Sequence, residues 1–225
     1  MMNERTEQRF RGVETSRTFS NILDTFDLRN KAVLDVGCSY GEFLIHFGRE
    51  STGVTVTDAE VAYGKMKGLD VRCGNIEADS FSLEKKYDVI FANNIFEHLY
   101  SPHHFLIRIR EYLKQDGILI LGVPCIPEIT PLVHLPKFRG SLAVEHINFF
   151  TRNTLAKTVE RGGWNVREVR GFHFKNQYID GLLRPIYPHF YVVAEPRADF
   201  KYPERRMKEL QGYKNVNIGE NSVKI

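Results

Sequence analysis

Apolar residues along this chain follow two rhythms. Short dense runs rich in Val, Ile and Leu occupy residues 32–36, 52–57, 69–73, 87–92 and 118–123, as expected of strands buried on both faces. Stretches with helical spacing lie between them. Residues 42–49 follow the first run. Residues 58–67 are opened by Asp58 as N-cap and stopped by Gly68, and 102–113 carry Phe105, Leu106, Ile109 and Leu113 on one face before a turn at 114–117. A further helix is expected over 151–161, capped by Thr151 and halted by Gly162 and Gly163, followed by two strands at 164–174 and 189–194. This alternation predicts an α/β fold: a doubly wound, mostly parallel seven-stranded sheet with an antiparallel final strand pair, its strand C-termini along one crevice.

The flanks differ. Residues 1–12 are polar and expected to be loose. From 13 to 28, Val13, Phe19, Ile22, Leu23, Phe26 and Leu28 share one face of a predicted helix that packs on the sheet or caps the crevice, so 1–30 is set apart from the main domain, 31–195. Within that domain, 124–150 breaks the rhythm. Pro124, Pro127, Pro131 and Pro136 exclude a long helix, yet Ile126, Ile129, Leu132, Val133, Leu135 and Phe138 are too apolar for a solvated linker. A lid or substrate surface is expected there. Residues 196–225 read as a basic tail, partly ordered or wrapped on a partner.

Candidate chemistry begins with VLDVGCSYGEFL at 33–44, a strand running through Asp35 into a turn with Gly37, Cys38 and Gly41. Glycine lets a ligand approach backbone N–H groups because it has no Cβ. Dinucleotide folds use a third glycine to admit a pyrophosphate, and this turn lacks it, as the chain lacks the acid such folds place on a ribose. A nicotinamide-linked dehydrogenase is therefore disfavoured. The acid-x-Gly-x-x-x-Gly pattern resembles motif I of the class I S-adenosylmethionine-dependent methyltransferases. Five stretches carry the resemblance in order: LDVGCSYG, TGVTVTDAE, GNIEA, YDVIFANNIFEHLYSP with the helix ending LKQDGILILGVP, and EHINFFTRNTLAKTVERGGWNVREV. They are most similar to the branch that holds ubiquinone-type O-methyltransferases and many small-molecule or glycan methyltransferases.

The resemblance implies S-adenosylmethionine as cofactor. Its amino-acid end would lie against the 37–41 turn (Gly37, Cys38, Gly41) and near Asn93, with Asp35 balancing the ammonium, and its adenine near Asn75 and Ile76. One departure is informative. The family ends its second strand with an acid that binds both ribose hydroxyls; here Thr55 stands in that place and Asp58 lies three residues on. A neutral hydroxyl in place of a carboxylate costs roughly 1–3 kcal/mol of hydrogen bonding, so a weakened or shifted ribose contact is expected.

Methyl transfer to a hydroxyl needs a base, and His98 and His146, with Glu97 helping to organise the pocket, are the candidate catalytic residues. His103, His104 and His134 fall on a helix start or in the lid and are weaker candidates. Small-RNA 2′-O-methyltransferases and ubiquinone-type enzymes bind a divalent metal through a similar Glu-x-x-Glu-His segment. Here Asn94 replaces the first acid, and no metal is expected. Asn93-Asn94-Ile95-Phe96 also departs from the segment used on exocyclic amines of nucleic acid, so the expected acceptor is a hydroxyl or carboxyl on a small molecule, sugar or lipid-linked intermediate. Lys137-Phe138-Arg139 could meet a phosphate or carboxylate on it. Thr55 and the basic tail keep open a second reading, a degenerate cofactor-binding domain serving as a partner-binding subunit.

Composition changes little. With 42% hydrophobic and 26% charged residues and a net charge of +3, the chain has ordinary globular content, and its positive charge is scattered, giving no nucleic-acid signature. No apolar run approaches the roughly 18 residues of a membrane span. The charged N-terminus has no signal-peptide core, and the three cysteines (Cys38, Cys73, Cys125) are far apart, so free thiols in the cytoplasm are expected, with oligomerisation left open.

Overall fold

In the computed structural model, which describes residues 4–78 and 80–201, the apolar runs become one seven-stranded sheet. In chain order the elements are α1 (Glu4–Glu14), α2 (Arg17–Phe26), β1 (Val33–Val36), β2 (Thr52–Thr55), α3 (Asp58–Met66), β3 (Val71–Cys73), β4 (Tyr87–Asn93), α4 (Pro102–Arg108), β5 (Leu113–Pro124), α5 (Arg152–Arg161), β6 (Trp164–Arg170), α6 (Gln177–Leu182) and β7 (His189–Pro196). The sheet order is β3-β2-β1-β4-β5-β7-β6, with β7 antiparallel to both β5 and β6 and the rest parallel. The order reverses at β1–β4, which opens a crevice at the C-terminal ends of those strands.

The period of two assigns side chains to two covered faces. Leu34, Ile90, Ala92, Leu119 and Leu121 face a core closed by Phe105 and Leu106 of α4 and Leu155 and Val159 of α5. Val33, Val89, Phe91, Ile118 and Ile120 face the other side, closed by Phe19, Ile22 and Leu23 of α2. Trp164 is buried and donates its indole N–H to the Leu106 carbonyl (3.0 Å), which locks β6 to α4.

Several expected elements are corrected. Residues 1–12 are not loose where described: α1 starts at Glu4 and is separate from α2. Ser16 caps α2 by accepting the Phe19 N–H, which ends any continuous 13–28 helix. Residues 42–49 do not form an α-helix; turns lead into one 3-10 turn at Leu44–His46. Phe43 and Phe47 are drawn in against Phe19 and Phe91, and Gly48 passes against the Lys31 carbonyl, where a Cβ would collide. Aromatic packing and a tight backbone crossing override helix propensity here. The N-cap of α3 is Thr57, with Asp58 the first helical residue. α4 is seven residues long and continues as a 3-10 turn at Ile109–Tyr112, and the expected 114–117 turn is an irregularity inside β5: Tyr87 pairs with Leu113, but Val89 already pairs with Ile118. β6 stops at Arg170, since Phe172 takes a positive φ of 55°.

Residues 124–150 hold two 3-10 segments, Thr130–His134 and Pro136–Leu142, and no α-helix, as the prolines require. The expected tail extends beyond Lys201, outside the described residues. Up to there it docks on the α5–β6 turn: the Arg197 N–H donates to the Gly163 carbonyl and Arg110 donates to the Arg197 carbonyl. Among the described residues no helix is long and apolar enough to cross a membrane.

Candidate active site

β1 delivers Asp35 into the crevice as a buried residue. Its Oδ2 has no hydrogen-bond partner among the described residues, and burial, with Glu42 nearby, raises its carboxyl well above the usual carboxylate range. The 37–41 turn wraps over this acid. Gly37 and Gly41 take φ of 75° and 89°, a region that L side chains rarely adopt, and Ser39 joins them at 48°. Gly37 and Cys38 both donate their N–H groups to the Val54 carbonyl, fastening the turn to β2. Cys38 is buried against Gly53, and its thiol is raised far out of the ionising range by desolvation and then by Asp35. It serves packing. At the end of β4, Asn93 Oδ1 is a second buried acceptor without a partner among the described residues.

Thr55 ends β2 as expected, but it does not stand alone. Its hydroxyl donates to Glu60 on the first turn of α3, and the other oxygen of Glu60 accepts from Ser39 (2.9 Å). A carboxylate thus bridges the glycine turn and the end of β2. Asp58 is exposed and lies towards Cys73, whose thiol it pushes up. Asn75 is exposed with its Oδ1 accepting the Glu77 N–H (2.9 Å), while Ile76 is buried in the core. Sequence reasoning named Asp58 and missed Glu60; the signal was a second acid one turn from the strand end.

Beyond β4 the chain enters a 3-10 turn, Phe96–His98. Glu97 is buried with both carboxylate oxygens lacking a hydrogen-bond partner among the described residues, and burial raises its carboxyl. His98 Nε2 and His146 Nε2 stand 3.9 and 3.8 Å from Glu97 Oε1, and the two imidazoles meet edge to face at 4.8 Å. Burial, then the His98 charge, lowers the His146 imidazole below its ordinary value. The segments meet because backbone carbonyls demand it. Ile147 and Asn148 donate N–H groups to the Glu97 carbonyl, the Asn148 side chain donates to the Leu99 carbonyl (2.7 Å), and Phe150 stacks on Phe96 at 5.2 Å. The Glu-His-Leu and Glu-His-x-x-Phe-Phe-Thr motifs are therefore two halves of one structure.

The three side chains line a cavity of about 320 Å³ with Asn94, Lys137, Ser141 and His189. Asn94 Oδ1 and His189 Nε2 are 2.8 Å apart, and burial, then His173, lowers the His189 imidazole. His189 was not foreseen, because nothing in the last strand marks it. Of the weaker candidates, His104 Nε2 bonds the Glu77 carbonyl (3.1 Å), away from the cavity. One ligand atom from each of Glu97, His98 and His146 falls within 4.8 Å of the others, a spacing that could hold a metal ion.

Comparison with known proteins bears on the family and the fold. The family described as Methyltransferase domain matches residues 6–169. The ubiquinone biosynthesis O-methyltransferase of Rickettsia canadensis is 26% identical over 103 residues, 43% of this chain and 44% of that protein. Pavine N-methyltransferase of Thalictrum flavum is 30% identical over 107 residues, 42% of this chain and 30% of that protein. The chain thus spans less than half the length of these two relatives. An S-adenosylmethionine-dependent methyltransferase structure from Clostridium acetobutylicum superposes with a TM-score of 0.64 at 10% identity, covering 86% of this chain and 99% of that one, and so shares its fold. With a family match across most of the described sheet and a glycine turn of the matching pattern on β1, the chain belongs to the class I S-adenosylmethionine-dependent methyltransferases.

Proposed function

We propose that this chain methylates an oxygen, a hydroxyl or carboxyl, of a small molecule, sugar or lipid-linked acceptor seated in the cavity beyond β4. The cofactor brings an electrophilic methyl that needs only alignment with the acceptor. The residues at the strand ends fit such a cation: Asp35 Oδ2 and Asn93 Oδ1 are buried acceptors that lack a donor among the described residues, and a bound ammonium would satisfy them. Glu60, held by Ser39 and Thr55, supplies the ribose-binding carboxylate that the end of β2 lacks.

The observation that carries the oxygen assignment is the Glu97–His98–His146 cluster beside the cavity. An attacking hydroxyl must lose a proton, whereas a neutral amine attacks through its own lone pair. His146 takes that proton, and Glu97 stabilises the imidazolium that forms. Replacement of His146 by Gln is expected to lower transfer to hydroxyl acceptors about 10²–10⁴-fold. Affinity for S-adenosylhomocysteine, measured by calorimetry, should stay unchanged. Transfer of labelled methyl to amines alone, at equal rates in the two proteins, would overturn the oxygen assignment.

A second reading rests on the same three side chains. A carboxylate and two imidazoles form a donor set suited to a transition metal more than to magnesium, and Glu97, His98 and His146 would hold an ion that polarises the acceptor oxygen. Activity abolished by a chelator and restored by manganese or zinc would select this reading over the general base.

A further inference from the structure

A second cavity, of about 450 Å³, adjoins the first and shares Lys137 and Pro188 with it. Arg17 from the first position of α2, Lys137 from the 124–150 segment and His173 from the loop after β6 line it, with Phe174 and Tyr187 between them. We propose that this cavity is an anion subsite, and that the methyl acceptor carries a phosphate or carboxylate group that docks there while its oxygen lies in the cavity beside Glu97. That the anion belongs to the methyl acceptor rests on the functional reading above; the subsite itself does not.

Three unlinked parts of the chain bring positive or proton-bearing groups to one concavity, and among the described residues no acid forms an ion pair with their side chains. Neither Arg17 nor Lys137 forms an ion pair among the described residues. Each lies instead over an aromatic face, Arg17 at 5.0 Å from the Phe174 ring centroid and Lys137 at 5.6 Å from that of Phe138. Such contacts hold a cation in place without cancelling its charge.

The nearest acid is already committed. Asp180 is buried and accepts the N–H groups of Phe172, His173 and Phe174 (3.0, 3.0 and 3.2 Å), the Tyr187 hydroxyl (3.1 Å) and the Arg170 guanidinium. It shapes the loop that presents His173, and both of its oxygens are occupied by these donors. Thr18 fixes the His173 ring through Nδ1 (3.0 Å), and Nε2 has no partner among the described residues. Burial lowers the His173 imidazole, Asp180 opposes it, and Lys137 and Arg17 both add to the lowering, so the two cations lie close enough to act on the ring.

The probes are inorganic phosphate and acetate, titrated separately into the full chain saturated with S-adenosylhomocysteine, with the histidine imidazole resonances followed by NMR and the His173 signal assigned with His173→Gln. At least one of the two anions is expected to shift His173 saturably, and which one does so distinguishes phosphate from carboxylate recognition. The double variant Arg17→Ala/Lys137→Ala should weaken that binding at least about tenfold, the loss expected from removing charge-assisted hydrogen bonds. Both side chains are exposed, and an unchanged calorimetric affinity for S-adenosylhomocysteine will show that the fold and cofactor site are intact. No saturable shift with either anion, or the same shift in the double variant, overturns the subsite. Loss of S-adenosylhomocysteine binding by the unmodified chain would instead sink the methyltransferase reading, and the anion titration can be run without it.

Discussion

On the proposed cofactor placement, Asp35 and Glu60 would meet different halves of the ligand. Asp35 is buried beside Glu42 with one oxygen unpartnered, and its carboxyl is held well above the usual range. Between its ordinary value and that raised value the folded chain keeps a proton that the unfolded chain has lost. Asp35 therefore costs the apo protein stability as pH rises through that window. A bound ammonium reverses the sign by favouring the ionised carboxylate, so cofactor binding expels the proton. Calorimetry with S-adenosylhomocysteine in buffers of differing ionisation enthalpy should register release of up to about one proton, with affinity rising as pH rises. Equal enthalpies in all buffers would refute the coupling. Glu60 makes a separate prediction: Glu60→Gln keeps the shape and loses the charge, and should weaken S-adenosylhomocysteine about tenfold. Asp58→Asn, at an exposed position facing Cys73, should change affinity little. A strand-end acid is legible as a motif in sequence. A carboxylate that reaches back from the next helix is not, because its partner Ser39 is 21 residues away and only the positive φ of the turn sets it in range.

At the scale of elements, sequence pattern worked where burial alone decided the outcome. β1, β4 and β5 are apolar on both faces because helices cover both faces, and their runs announced them. Residues 42–49 misled for the opposite reason. Their apolar spacing is helical, but Phe43 and Phe47 are claimed by Phe19, which lies on α2 and far away in sequence. The two Glu-His motifs were legible as belonging together without showing why. The reason is Asn148 and Phe150. Asn148→Ala removes donors from the Glu97 and Leu99 carbonyls and should cost about 1–3 kcal/mol. Phe150→Ala removes the ring stacked on Phe96 and should cost about 3–5 kcal/mol. Denaturant unfolding checks both. Because the same contacts seat His146 against Glu97, the alanine at 148 should also lower methyl transfer, and a variant destabilised but fully active would separate the motif from the chemistry.

For the whole molecule, the informative feature is how unevenly the glycine turn is covered. On one side it rests on β2 and the sheet. On the other it is covered by α1, whose contacts are mostly polar or at its rim. Arg9 pairs with the buried Glu42 and lies over Tyr40, Glu7 accepts from the Tyr63 hydroxyl and pairs with Lys67, and Phe10 meets Tyr63. Only Thr6 and Val13 of α1 are buried, whereas α2 buries Phe19, Ile22 and Leu23 in the core. Elements with few buried apolar contacts open locally at low free energy. If the cofactor binds between the 37–41 turn and Glu60 as proposed, it would lie beneath this helix, and α1 is then expected to give way for entry and tighten afterwards. Amide hydrogen exchange is expected to be fast in α1 of the apo chain and slow in β4 and β5. Saturating S-adenosylhomocysteine should protect α1 and residues 37–43 while leaving the sheet centre as it was. Arg9→Ala, which strips Glu42 of its partner, should abolish most of the added protection in α1 and speed cofactor release, read by stopped-flow displacement. Protection spread evenly over the sheet, or an unchanged release rate in Arg9→Ala, would mean that the cofactor enters by another face.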